Sequence, residues 1–244
     1  MPKITIPHGT QEFLAHLALP EGTPKGGVIL IHEVWGVNPN IRSLADRLAM
    51  EGYVVIAPDL ITHTGINQQI DQSILAEIMN PETRDEAQKK LRAAMAPIMV
   101  PEFANETIDK LKTCFDYLQN EQNQTKIASV GFCFGGTYSY SLAVHEPRLA
   151  CAVPFYGHAP QTEAELSRIS CQILAFYGEE DAGLMEGLPI LVAEMKKLGK
   201  DFTYKVYQDA GHAFMNDTNP TTYRPEAAKD AWERMIVFLS EKMA

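Results

Sequence analysis

Cys133 is the residue of this 244-residue chain whose surroundings point most directly to covalent chemistry. It stands in ASVGFCFGGTYSY, where Gly131, Cys133 and Gly135 form Gly-x-Cys-x-Gly between a predicted strand and a predicted helix. That is the pattern of a nucleophile elbow with Cys in place of Ser. The turn needs glycines because side-chain carbons there would collide with the neighbouring strand and helix. It also puts the sulfur at a helix N-terminus, where the macrodipole and free N–H groups favour a thiolate. Taken alone, the pattern equally fits a buried Cys among packing glycines. Asp181 lies in LAFYGEEDAGL just past one predicted strand, and His212 lies in YQDAGHAFMND, a Gly-flanked loop past the next. Singly they read as a loop carboxylate and a surface imidazole. Jointly, in the order nucleophile, acid, base and at the ends of successive strands, they predict a Cys133–His212–Asp181 triad.

The elements that must position these residues follow from hydrophobic periodicity. Alternating stretches at 3–6 and 12–18 predict an antiparallel N-terminal hairpin, and 27–31 is an apolar strand-like run. After the HEVWGVNPN loop, Ile41, Leu44, Ala45 and Leu48 recur at helical spacing, and a further apolar run, 53–57, ends at Pro58. The alternation returns as a helix over 107–118, a strand over 127–131 and a helix over 137–144. Strands at 151–156 and 172–177, a helix near 188–198, a strand at 202–207 and a helix from about 225 to 243 complete it. The expectation is one α/β domain over 1–244, with a mostly parallel central sheet, an antiparallel N-terminal hairpin and helices on both faces. Residues 61–100 show no clear strand and predict an irregular excursion over the sheet.

Composition narrows the function classes. Hydrophobic residues make up 45% and charged residues 21%, with no apolar run near the roughly 18 residues of a membrane helix and no signal-peptide pattern at the start. A cytoplasmic protein that does not bind membranes is expected. The net charge of −10 works against nucleic-acid binding. Cys114, Cys133, Cys151 and Cys171 have neither zinc-site nor disulfide-framework spacing, so no metal is predicted.

The chain resembles the dienelactone hydrolase (carboxymethylenebutenolidase) family. The likeness is carried by IHEVWGVN at 31–38, GYVVIAPDL at 52–60, VGFCFGG at 130–136, VPFYG at 153–157, YGEED at 177–181 and AGHAF at 210–214. The resemblance implies an α/β-hydrolase fold, no cofactor, and hydrolysis of a small-molecule lactone or carboxylic ester through a thioester on Cys133. It places the backbone amides of Val34 and Phe134 as oxyanion donors. Glu33 matches a family glutamate beside the cysteine that holds the resting thiol or takes its proton, and Trp35 is expected to line the pocket. His32 and His145 read as structural. In one departure, Met215 and Asn216 occupy the run after His212 where the namesake enzymes carry an Arg for the substrate carboxylate. Lys89, Lys90 and Arg92 are the alternative cations, although a solvated surface role fits them better. A monomer or small homo-oligomer is expected. The competing reading is a non-catalytic, ligand-binding or redox-sensing protein on the same fold.

Overall fold

A computed structural model describes residues 3–71 and 73–244. Among them eight strands form one sheet, β1 (Lys3–His8), β2 (Gln11–Ala18), β3 (Gly26–Ile31), β4 (Tyr53–Pro58), β5 (Ile127–Phe132), β6 (Cys151–Phe155), β7 (Gln172–Gly178) and β8 (Phe202–Tyr207). Their spatial order is β1-β2-β4-β3-β5-β6-β7-β8. The β1–β2 and β2–β4 pairings are antiparallel and the rest are parallel. Every residue of β3, β4, β5 and β6 is buried, as expected of parallel strands covered on both faces. In β1 and β2 the outer positions stay exposed, because the hairpin sits at the sheet's edge. Gly9, at φ +60°, makes the two-residue turn that leaves His8 paired with Gln11.

Helix α1 (Pro39–Met50) begins with Pro39 in its first turn and with the Asn38 side chain accepting the Ile41 N–H at 3.0 Å. It turns Ile41, Leu44, Ala45 and Leu48 inward. Residues 62–98 carry short helices, α2 (Ile66–Gln69), α3 (Ile74–Met79) and α4 (Arg84–Met95), flanked by 3-10 turns at Thr62–Thr64 and Ala96–Ile98. The stretch expected to be irregular is therefore largely helical. Its first two helices are too short to show a period, and the buried positions of α4 are the small residues Ala87 and Ala94. α5 (Pro101–Asn120) follows. α6 (Phe134–His145), α7 (Glu163–Arg168), α8 (Ala182–Lys197) and α9 (Pro225–Met243) complete the order.

α5 through α8 succeed one another in contact on one face of the sheet. α1 and α9 lie on the other, joined by the Arg47 guanidinium 3.8 Å from the centre of the Trp232 ring. α8 begins at Ala182, six residues before the expected 188, because Gly183, Gly187 and Pro189 are poor helix formers that hide its start in the sequence. No helix among the described residues is long and apolar enough to cross a membrane.

α6 meets the sheet without room for side-chain carbons. A Cβ on Gly131 would lie 1.9 Å from the Gly135 carbonyl oxygen, and one on Gly135 would lie 2.1 Å from that of Ile31. Both clashes are with backbone, so neither can be relieved by a rotamer change. Gly135→Ala is expected to lower stability by about 1–3 kcal/mol or more, read as a fall in the urea midpoint at unchanged m-value. An unshifted midpoint would show that helix and strand can part to admit a methyl group.

Candidate active site

Cys133 follows β5 directly and occupies the N-cap of α6, with φ 57° and ψ −113°. Such a backbone conformation is strained for a residue with a side chain, and the surroundings hold it there. The Cys133 N–H donates to the Phe155 carbonyl at 3.0 Å and its own carbonyl accepts from the Thr137 N–H at 3.1 Å. Phe134 is the first residue of α6, so its N–H belongs to a helical turn that has no carbonyl of its own to bind. The approach of Gly135 to the carbonyls of Ile31 and His32 brings the loop after β3 against this turn. That loop contains Val34 in a tight turn closed by the Gly36 N–H on the Glu33 carbonyl at 3.1 Å. The two amides expected to act as donors thus lie on adjoining segments.

Asp181 is the N-cap residue of α8, yet its side chain makes no capping bond. One of its oxygens instead accepts from His212 Nδ1–H at 2.5 Å. Since a carboxylate only accepts, the proton sits on Nδ1 and leaves Nε2 for the cysteine. The His212 pKa stands well above the ordinary imidazole value. Burial acts to lower it, but the Cys133 sulfur, as a nearby charge and hydrogen-bond partner, and the Asp181 carboxylate outweigh burial. Cys133, His212 and Asp181, predicted from their order along the chain, are therefore gathered in one place.

Glu33 is buried, at 1% exposure. Its Oε2 accepts from Asn216 Nδ2–H at 2.7 Å and its Oε1 from the Tyr156 hydroxyl at 3.4 Å. Burial pushes its pKa up to about 7, against the opposing charge of His212 and the two hydrogen bonds. Tyr156 and Asn216 were not singled out as site residues by sequence reasoning. Tyr156 lies just past β6 at φ 38°, fully buried, with its ring centre 5.1 Å from that of His212. The aromatic residue ending VPFYG was the available signal. Asn216 gave a signal only as a departure from the family's Arg.

His32 is structural, as expected. Its Nε2 accepts the Leu60 N–H at 3.0 Å, so Nδ1 carries the proton and donates to the Glu33 carbonyl at 2.6 Å. The imidazole ties the β3 loop to the chain beyond β4, and burial keeps its pKa low. His145 Nδ1 bonds the Ser141 carbonyl one helical turn back at 2.8 Å. Trp35 is partly buried and packs against the core. Lys89, Lys90 and Arg92 lie exposed on α4, where Lys89 pairs with Glu86 at 2.8 Å. Among the described residues, no cluster of three His, Cys, Asp or Glu side chains is arranged to hold a metal ion.

The raised Glu33 pKa has a consequence for stability. The folded chain holds this proton up to about pH 7, whereas an exposed glutamate releases it near 4.5. Its contribution is complete below the lower value and is lost as pH rises through the upper one, a change of about 3 kcal/mol. Relative to wild type, Glu33→Gln is expected to gain roughly that amount between pH 5 and pH 8 in urea unfolding. A difference between the two proteins that does not vary with pH would return Glu33 to an ordinary carboxyl.

A model of the dienelactone hydrolase family matches residues 13–243. A protein of Saccharolobus solfataricus named "Putative carboxymethylenebutenolidase" is 37% identical over 242 residues, covering 92% of each chain. The crystal structure titled "Putative Dienelactone Hydrolase", from Klebsiella pneumoniae, superimposes with a TM-score of 0.79 at 25% identity, over 97% of this chain and 96% of that one. The dienelactone hydrolase of Anabaena variabilis shares the fold, with a TM-score of 0.66 at 17% identity over 96% of both chains. With its sheet order, its elbow and a match spanning nearly its whole length, the chain belongs to the dienelactone hydrolase family, within the α/β-hydrolase superfamily.

Proposed function

We propose that this hydrolase cleaves a small lactone or carboxylic ester through a thioester on Cys133. The observation that carries the reading is His212, bonded to Asp181 through Nδ1 and facing the Cys133 sulfur. A histidine so oriented holds its proton-accepting nitrogen toward a nucleophile at the head of a helix.

In the first half-reaction His212 Nε2 takes the thiol proton and Sγ bonds to the acyl carbon. The carbonyl oxygen becomes an oxyanion, received by the N–H groups of Val34 and Phe134. Collapse breaks the bond to the leaving oxygen, which takes the proton from His212 as an alcohol or, for a lactone, as the freed end of the same molecule. In the second half-reaction His212 removes a proton from water, the resulting hydroxide attacks the thioester, and the carbon–sulfur bond breaks to release the carboxylic acid as the departing sulfur regains its proton from His212. Asp181 keeps the imidazole in the required tautomer through both halves. Glu33, beside this machinery and able to gain or lose a proton near neutrality, sets the charge against which the thiol ionises.

In this role the chain acts as one catalytic domain over 1–244, in the cytoplasm and on a small molecule, with its own side chains making every proton transfer. The surface placement of Lys89, Lys90 and Arg92 and the buried Asn216 favour an uncharged acyl group over a carboxylated one.

Cys133→Ala and His212→Ala are each expected to lower kcat/KM for p-nitrophenyl acetate and for a dienelactone by about 10³-fold or more. Full turnover by Cys133→Ala would overturn the assignment of the nucleophile. Turnover of neither substrate by the wild-type protein would favour a ligand-binding role.

A further inference from the structure

We infer that Asn216 is a positioning residue for Glu33, fixing its carboxyl in the site through a neutral amide, and that position 216 makes no contact with substrate. The kinetic part of this inference rests on the hydrolase reading above; the part concerning Glu33 does not.

The orientation of Asn216 is dictated by its surroundings. Its Oδ1 accepts from the Thr218 N–H at 3.1 Å and from the Thr218 hydroxyl at 2.7 Å. With two donors on the oxygen, the NH₂ group must be the end that meets Glu33 Oε2. The backbone is held as firmly, with the Asn216 N–H on the Ala213 carbonyl at 3.0 Å and the Asn219 N–H on the Asn216 carbonyl at 3.1 Å. Ala213 at φ 61° shapes this turn immediately after His212. One short segment therefore carries both the proposed general base and the clamp on Glu33. Asn216 is only 2% exposed, which leaves it no surface to offer a ligand.

The groups that face Glu33 come from three segments. Past β6, the Tyr156 hydroxyl donates to Oε1 and itself receives the Met215 N–H. From the turn after β8 come His212, as a charge, and Asn216. From its own loop comes His32, held neutral by its acceptor role toward Leu60 and bonded to the Glu33 backbone carbonyl. Cys133 acts on both Tyr156 and His212 and so belongs to the same cluster. A neutral amide orients a carboxyl while stabilising its charged form less than a guanidinium or ammonium would. Both protonation states of Glu33 consequently stay within reach near neutral pH, and the charge beside Cys133 changes there.

The test is the rate of Cys133 alkylation by iodoacetamide from pH 5 to pH 9, which requires no hydrolysis. It is measured for wild type, Glu33→Gln, Asn216→Leu and Asn216→Asp, the last retaining an acceptor for Thr218 should the leucine variant not fold. Wild type is expected to show an inflection near pH 7, absent in Glu33→Gln and moved upward by about one pH unit in either Asn216 variant. In parallel, KM for a carboxylated ester relative to its neutral counterpart is expected to stay within about twofold of wild type. An inflection that stays in place in both Asn216 variants would overturn the inference, as would a selective rise in KM for the carboxylated ester. Shifted alkylation without turnover of any ester would leave the role of Asn216 standing while removing the hydrolase reading. Ester turnover with an unmoved inflection would do the reverse.

Discussion

The first turn of α6 lies so close to the backbones of β3, β5 and the chain beyond β6 that glycine is the only residue its contact points admit. Gly131 and Gly135 face backbone oxygens directly, and Gly136 would place a Cβ 2.3 Å from the Phe155 carbonyl. This contact fixes Cys133 in a strained conformation at the head of the helix and brings the Glu33–Val34 turn alongside. A looser approach would let Cys133 relax into the helix and would separate Val34 from Phe134. The geometry of Cys133 therefore depends on atoms that are missing from the side chains around it.

Around that fixed point the polar groups divide into two chains of hydrogen bonds. One runs from Asp181 through His212 to the Cys133 sulfur, and the charges at its two ends raise the basicity of His212 against the cost of burial. The other links Asn216 and Tyr156 to Glu33, where burial wins and the carboxyl remains neutral well above its ordinary range. The same interior thus favours charge on one group and opposes it on its neighbour. Both groups therefore hold their protons to a higher pH than the free side chains do, one through the charges around it and the other through burial.

Sequence alone conveyed the first of these chains and most of the frame. The apolar run of β5, the glycines of the elbow and the short segments that carry Cys133, Asp181 and His212 are local signals, each readable within a dozen residues. The second chain depends on tertiary approach. Nothing in the HAFMND run indicates that Asn216 turns inward to meet a residue 183 positions earlier, and the positive φ of Tyr156 is not encoded by an aromatic residue. The helical character of 62–98 stayed hidden because its first two helices are short and the buried positions of α4 are small, and the start of α8 because glycine and proline interrupt it. In α8 packing overrode propensity.

In the proposed reaction Cys133 must carry the acyl group between the two half-reactions. Rapid-quench mixing of the enzyme with p-nitrophenyl acetate at low pH, followed by intact-mass and peptide mass measurement, tests that requirement most directly. It should reveal a transient acetyl adduct on the peptide containing Cys133, formed no more slowly than turnover and decaying to free enzyme. Turnover with no adduct on that peptide, or with the adduct on one of its serines, would contradict it.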